Sequence, residues 1–129
     1  TRVSVGRGTD LPFQVVGHNT VPLGSLALTP DSRPQAPHPK LENEPGYYRD
    51  MRQSTIKGLD LSVLIETYQA FAKAGEPFFD RPDFMDKLAG TDTLRKAIVA
   101  GHSEAQIRAD WQAELARFRQ RRRPYLLYR

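Results

Sequence analysis

The sequence predicts an α+β domain: a small N-terminal sheet with a long proline-rich loop, three or four C-terminal helices covering it, and a short terminal strand. Three observations predict this. Seven of the ten prolines fall before residue 60, among short β-branched and aromatic runs punctuated by glycine. Beyond residue 60 the apolar positions switch to the i, i+3, i+4 spacing of helices. Each helical segment has only one apolar face, so the helices fold against the sheet and not alone. With 129 residues the chain is one domain, 1–129, in a strand-and-loop half (1–59) and a helical half (60–129).

The elements follow in order. Val3-Ser4-Val5 alternates and stops at Gly6. Phe13-Gln14-Val15-Val16 is a second strand, entered through Pro12 and ended by Gly17, and Ser25-Leu26-Ala27-Leu28 a third. From Thr29 to Gly46, prolines 30, 34, 37, 39 and 45 remove the backbone donors that a central strand or helix needs, leaving a long loop. Tyr47 to Ile56 returns as a further strand. Asp60 caps a helix from Leu61 to about Ala74, with Leu61, Leu64, Ile65, Tyr68, Phe71 and Ala72 on one face. Pro77 and Pro82 bracket a turn holding Phe78 and Phe79. A short helix from Asp83 to Ala89 carries Phe84, Met85 and Leu88, and Gly90 stops it. Thr91 caps the next, with Leu94, Ala97 and Ile98 inward and Gly101 as terminator. Ser103 and Gln106 form a capping box for the last helix, Glu104 to about Arg122. Its Ile107, Trp111, Leu115 and Phe118 make one stripe. Pro124 ends it, and Tyr125-Leu126-Leu127-Tyr128 reads as a terminal strand or docking segment.

Composition excludes several functions. The absence of cysteine rules out disulfides, zinc–thiolate sites and cysteine nucleophiles. No run approaches the ~18 apolar residues of a membrane span, so no transmembrane segment is expected. Six Phe, five Tyr and one Trp supply enough aromatic bulk for a modest core. The net charge of +4 belongs to the tail: residues 1–59 carry +2, residues 60–116 carry −4, and residues 117–129 carry +6. Arg117, Arg119, Arg121, Arg122 and Arg123 could attract nucleic acid or an anionic membrane. Cations also suit a helix C-terminus, and no aromatic or glycine interleaving accompanies them, so no nucleic-acid partner is expected.

Gly6-Arg7-Gly8-Thr9 is the most unusual local feature. Two glycines let the backbone turn sharply while a guanidinium offers paired hydrogen bonds to a carboxylate or phosphate. The plain alternative is a tight turn with a solvated arginine. The spacing is neither a Walker A loop nor a dinucleotide fingerprint. His18, His38 and His102 lack any metal-ligand spacing. His18 follows a strand and Gly17, which could set it at a sheet edge near a ligand; His102 reads as a turn residue. Asp60, Asp80, Asp83, Asp86 and Asp92 sit at helix starts, where the dipole favours them. Asp10 and Asp50 are the acids left for a site. Tyr47 and Tyr48 are candidates for stacking on a sugar ring, although strand alternation would turn one inward.

Val3-Ser4-Val5-Gly6-Arg7-Gly8-Thr9, Pro12-Phe13-Gln14-Val15 and Gly17 recur in order with Phe84-Met85-Asp86-Lys87-Leu88-Ala89-Gly90-Thr91-Asp92 and Leu94-Arg95. The closing Ile107, Trp111, Leu115, Phe118 and Pro124-Tyr125-Leu126-Leu127-Tyr128 complete the pattern. Over nearly its whole length the chain resembles the C-terminal half of the NamZ-type exo-β-N-acetylmuramidases. The resemblance implies a longer protein that pairs a Rossmann-like N-terminal domain with this smaller α/β domain, its active site in the cleft between them. Such proteins are commonly exported, periplasmic or secreted, and remove N-acetylmuramic acid from the non-reducing end of peptidoglycan fragments. The chain opens on Thr1 and reads as a piece of that longer protein, one sheet edge pairing with the N-terminal part.

The resemblance assigns the catalytic glutamate to the N-terminal domain, so none of Glu42, Glu44, Glu66, Glu76, Glu104 or Glu114 takes that role. Pro45-Gly46-Tyr47-Tyr48 departs from the family, standing where a Cys-Tyr-Gly or Cys-x-Gly element is expected. The expected substrate-binding residues are Arg7, Gly8, Thr9, His18, Tyr47 and Tyr48, with Arg7 suited to the lactyl carboxylate of muramic acid. The partners are a peptidoglycan-derived saccharide and the protein's own N-terminal domain; no cofactor or metal is expected. The alternative is a non-catalytic binding domain of a bacterial envelope protein.

Overall fold

The computed structural model describes residues 1–128. The chain runs β1 (Val15–His18), β2 (Leu26–Leu28), β3 (Gly46–Asp50), α1 (Ser62–Lys73), α2 (Pro82–Ala89), α3 (Thr93–Val99), α4 (Glu104–Arg122) and a 3-10 turn (Arg123–Tyr125). The strands form one antiparallel sheet in the order β1-β3-β2, so the α+β class holds.

The sheet is smaller than the sequence suggests. Val3-Ser4-Val5 contributes one bridge, Ser4 to Gly17, because Gly6 turns the chain away at φ +79°. The strand expected from Phe13 begins at Val15, since Pro12 and Phe13 form a turn in which the Gln14 amide donates to the Leu11 carbonyl at 3.2 Å. The strand expected to reach Ile56 ends at Asp50. There the Asp50 carboxylate accepts from the Arg52 amide and guanidinium at 2.6–3.1 Å, a local turn that competes with the ladder. That side-chain pairing with Arg52 also holds the Asp50 carboxyl down at about 2.

In the register of β1 on β3, Gly17 lies opposite Tyr48. A Cβ at Gly17 would stand 2.2 Å from two atoms of the Tyr48 ring, so glycine is required there for the ring to lie against the strand. Tyr48 is fully buried while Tyr47 is 53% exposed, as two-residue alternation dictates.

α1 joins the sheet to the other helices. Phe71 meets the His18 ring edge-on at 4.7 Å, and Glu66 pairs with Arg49 of β3. Val21, Phe71 and Phe78 form one buried cluster. Leu61 and Ile65, with Ile98 of α3 and Ile107 of α4, form a second. α3 and α4 thus stack on α1 instead of spreading over the sheet. The capping box expected of Ser103 and Gln106 forms. Asp60, however, lies one residue ahead of the N-cap Leu61, and its carboxylate accepts from the Ser62 amide at 2.9 Å in a local turn without capping α1. Asp92, not Thr91, stands at the N-cap of α3. Arg95 of α3 grips Asp86 of α2 with two hydrogen bonds of 2.8 and 2.6 Å.

The C-terminus departs most from expectation. The stripe on α4 is covered only at its start: Ile107 is buried and Trp111 half-buried, whereas every residue from Gln112 to Tyr128 is exposed. No terminal strand forms among the described residues. Pro124 lies in the 3-10 turn, and Leu127 and Tyr128 stand 92% and 89% exposed, with no strand alongside to complete a ladder. α2 likewise buries none of its residues. Among the described residues no helix is long and apolar enough to cross a membrane.

Candidate functional site

The Gly6–Thr9 turn is held by its own backbone. The Thr9 amide donates to the Gly6 carbonyl at 3.1 Å, and the Thr9 hydroxyl donates to the same oxygen at 2.7 Å. The Thr9 hydroxyl oxygen then accepts from the Leu11 amide at 3.1 Å. Gly8 has φ +80°, and a Cβ there would lie 2.5 Å from the Asp31 carbonyl oxygen. Conformation and space therefore both demand glycine. The Asp31 amide donates to the Gly8 carbonyl at 2.8 Å, tying the turn to the proline-rich loop.

This arrangement leaves Arg7 exposed at the rim of a cavity of about 390 Å³, lined among others by Arg7, Gly8, Thr9, Phe13, Arg33 and Gln35. Its volume falls within the ~300–1,000 Å³ of small-molecule sites. The Arg7 guanidinium lies over the Phe13 ring, 5.1 Å from its centroid. Arg33, on the loop side, is neutralised by Asp31 at 2.5 Å and Asp10 at 2.7 Å. Among the described residues no carboxylate pairs with Arg7, which makes it the uncompensated cation of the cavity.

The sequence-predicted residues divide. Arg7, Gly8 and Thr9 meet in this cavity; Tyr47 is exposed but does not line it. Tyr48 is not a stacking surface: its ring is core, and burial pushes the phenol pKa up. Among the described residues its hydroxyl has no hydrogen-bond partner. His18 lies in an edge strand as expected, but its side chain is buried. Its Nδ1 accepts from the Thr20 and Val21 amides, each at 3.3 Å. Burial, reinforced by Arg2, lowers its pKa, favouring the neutral ring that makes these contacts. Asp10 and Asp50 are committed to Arg33 and Arg52. Among the described residues no group of three His, Cys, Asp or Glu is placed to hold a metal.

Sequence reasoning missed Phe13, Arg33 and Gln35 as cavity residues. Phe13 carried a usable signal: Leu11-Pro12-Phe13-Gln14 has proline at the second position of a turn, which points away from a strand.

A family model described as exo-β-N-acetylmuramidase NamZ, C-terminal, matches residues 1–128. The chain belongs to the NamZ C-terminal family. It is also similar to the crystal structure of a DUF1343-family protein from Bacteroides fragilis NCTC 9343, with 36% identity and a TM-score of 0.80. That likeness covers all of this chain and 37% of the other, so the NamZ C-terminal domain spans a little over a third of its relative. No curated protein matches the chain. Arg7, Gly8, Thr9, Pro12 and Phe13, which lie within the segments that resemble the NamZ family, build one wall of the cavity.

Proposed function

We propose that this chain is the substrate-contacting, cleft-forming domain of an exo-acting N-acetylmuramidase, whose catalytic acid lies in an N-terminal domain outside residues 1–129. The observation that carries the reading is Arg7, an uncompensated guanidinium held at a cavity rim by a turn that tolerates no side chain at Gly8. Muramic acid differs from glucosamine by a lactyl ether ending in a carboxylate. A guanidinium takes a carboxylate through two parallel hydrogen bonds, a geometry that lysine cannot reproduce. Arg7 thus tells the two sugars of peptidoglycan apart, and its binding energy accelerates the reaction to the extent that the contact tightens in the transition state. A peptidoglycan substrate puts the protein in the periplasm or outside the cell.

The test is Arg7→Ala and Arg7→Lys in the full-length protein, with kcat/KM measured on chromogenic muramoyl and glucosaminyl glycosides. A loss near 10²-fold confined to the muramoyl substrate is expected, equivalent to ~2.7 kcal/mol of transition-state binding. Equal losses on both sugars remove the carboxylate-reading role.

One observation favours the second reading, a binding domain without catalytic duty: the exposed Leu115 and Phe118 on the uncovered half of α4. Under that reading, Leu115→Ser with Phe118→Ser abolishes association with the partner, and Arg7→Ala changes no hydrolytic rate.

A further inference from the structure

Phe13 occupies a conformation that the fold gives no reason for a phenylalanine to adopt. It is the third residue of the Leu11–Gln14 turn, with φ +63°, after Pro12 at the second position. A positive φ at the third position marks a type II turn, where glycine or asparagine normally stands because a side chain there is strained. The turn itself is firmly placed: the Phe13 amide donates to the Val5 carbonyl at 2.7 Å. The ring gains no burial in return, remaining 69% exposed. A strained residue with an exposed aromatic ring points to a role at the surface.

What the ring does face is the cavity and Arg7. We propose that Phe13 is the platform on which a sugar ring stacks in this cavity, while Arg7 holds the sugar's carboxylate. An aromatic face is electron-rich and attracts the polarised C–H groups that line one face of a pyranose. The guanidinium covers one face of the ring, so the sugar takes the opposite face of this largely exposed residue. The guanidinium's N–H donors lie in its own plane, free for the oxygens of an anion. Arg33 cannot take that part, being held by Asp10 and Asp31. The ligand class is therefore a carboxylate-bearing pyranose; its identity as muramic acid rests on the muramidase reading.

The platform and the cation make separable predictions in the full-length protein. Stacking reads a ring face common to both peptidoglycan sugars, so Phe13→Ala lowers kcat/KM on muramoyl and glucosaminyl glycosides together, tenfold or more, leaving their ratio unchanged. Phe13→Trp retains most of the rate. Phe13→Gly loses the same rate yet raises Tm, because glycine is at ease at this φ. Full activity in Phe13→Ala alongside a muramoyl-selective loss in Arg7→Ala overturns the platform and leaves the muramidase reading standing. Silence of both variants overturns both. A fall in Tm with Phe13→Gly also overturns the proposal, since it makes the ring structural.

Discussion

Gly17→Ala offers the sharpest check on the packing that shapes the sheet. The added methyl carbon would stand 2.2 Å from Cγ and Cδ1 of Tyr48 and 2.6 Å from Cε1, where carbon atoms normally sit ~3.5–4.0 Å apart. Something must move by more than an ångström. The Tyr48 ring is fully buried, so it has nowhere to retreat. Gly17 is clamped from its other edge by Ser4, through two backbone hydrogen bonds of 2.9 Å. Overpacking of this kind costs about 1–3 kcal/mol, and with both neighbours fixed the upper half of that range applies. Replacing glycine within a strand returns about 0.5–1 kcal/mol. The net expectation is a loss of about 2 kcal/mol, a Tm drop of roughly 5–10 °C for a domain of this size. Urea unfolding followed by circular dichroism and by the fluorescence of Trp111 measures it. In a Tyr48→Ala background, itself destabilised by about 3–5 kcal/mol, the same substitution should become neutral or slightly stabilising. Tyr48→Phe keeps the ring and therefore keeps the Gly17→Ala penalty, which covers the case of an unfolded alanine variant. A loss under about 0.5 kcal/mol, or an equal loss with and without the ring, refutes the reasoning.

Tyr48→Phe alone is expected to leave stability unchanged or raise it by about 1 kcal/mol, since it deletes a buried hydroxyl with no hydrogen-bond partner; a drop of that size on urea denaturation counts against this. Ser103→Ala removes the capping box of α4 and should cost about 1 kcal/mol in the same assay. His18 has its pKa lowered in the folded chain, chiefly by burial, so the unfolded chain binds the extra proton first as the pH falls. Its contribution is complete above the unfolded value of about 6.5 and declines below it toward the lowered folded value, no faster than about 1.4 kcal/mol per pH unit. Tm measured between pH 7.5 and 5 should show this decline, and His18→Asn, which retains an acceptor for the Thr20 and Val21 amides, should flatten it.

The helices were legible because local chemistry defines them. Asp60, the Ser103–Gln106 pair and Gly90 mark helix ends within a few residues, and the stripe through Leu61, Ile65 and Phe71 identifies a buried face of α1. The strands were less legible because a strand exists only where a neighbour pairs with it. Tyr125 to Tyr128 has strand-like composition but no neighbour, and Phe13 has strand propensity overruled by Pro12. Periodicity likewise shows that Ile107, Trp111, Leu115 and Phe118 share a face without showing what covers it. At the site, the glycines betrayed the turn and Arg7 its charge. The pairing of Arg33 with Asp10 depends on a loop folding back from more than twenty residues away, which no local pattern encodes.

The outer half of α4 carries a consequence of its own. Every described residue beyond Trp111 is exposed, so the backbone ladder there has little tertiary bracing, and short unsupported helices are only marginally favoured in water. Its peptide groups should therefore trade hydrogen for deuterium far sooner than those around Ile107. Anything clasping Leu115 and Phe118 would slow that trade, turning this arm into a built-in gauge of occupancy.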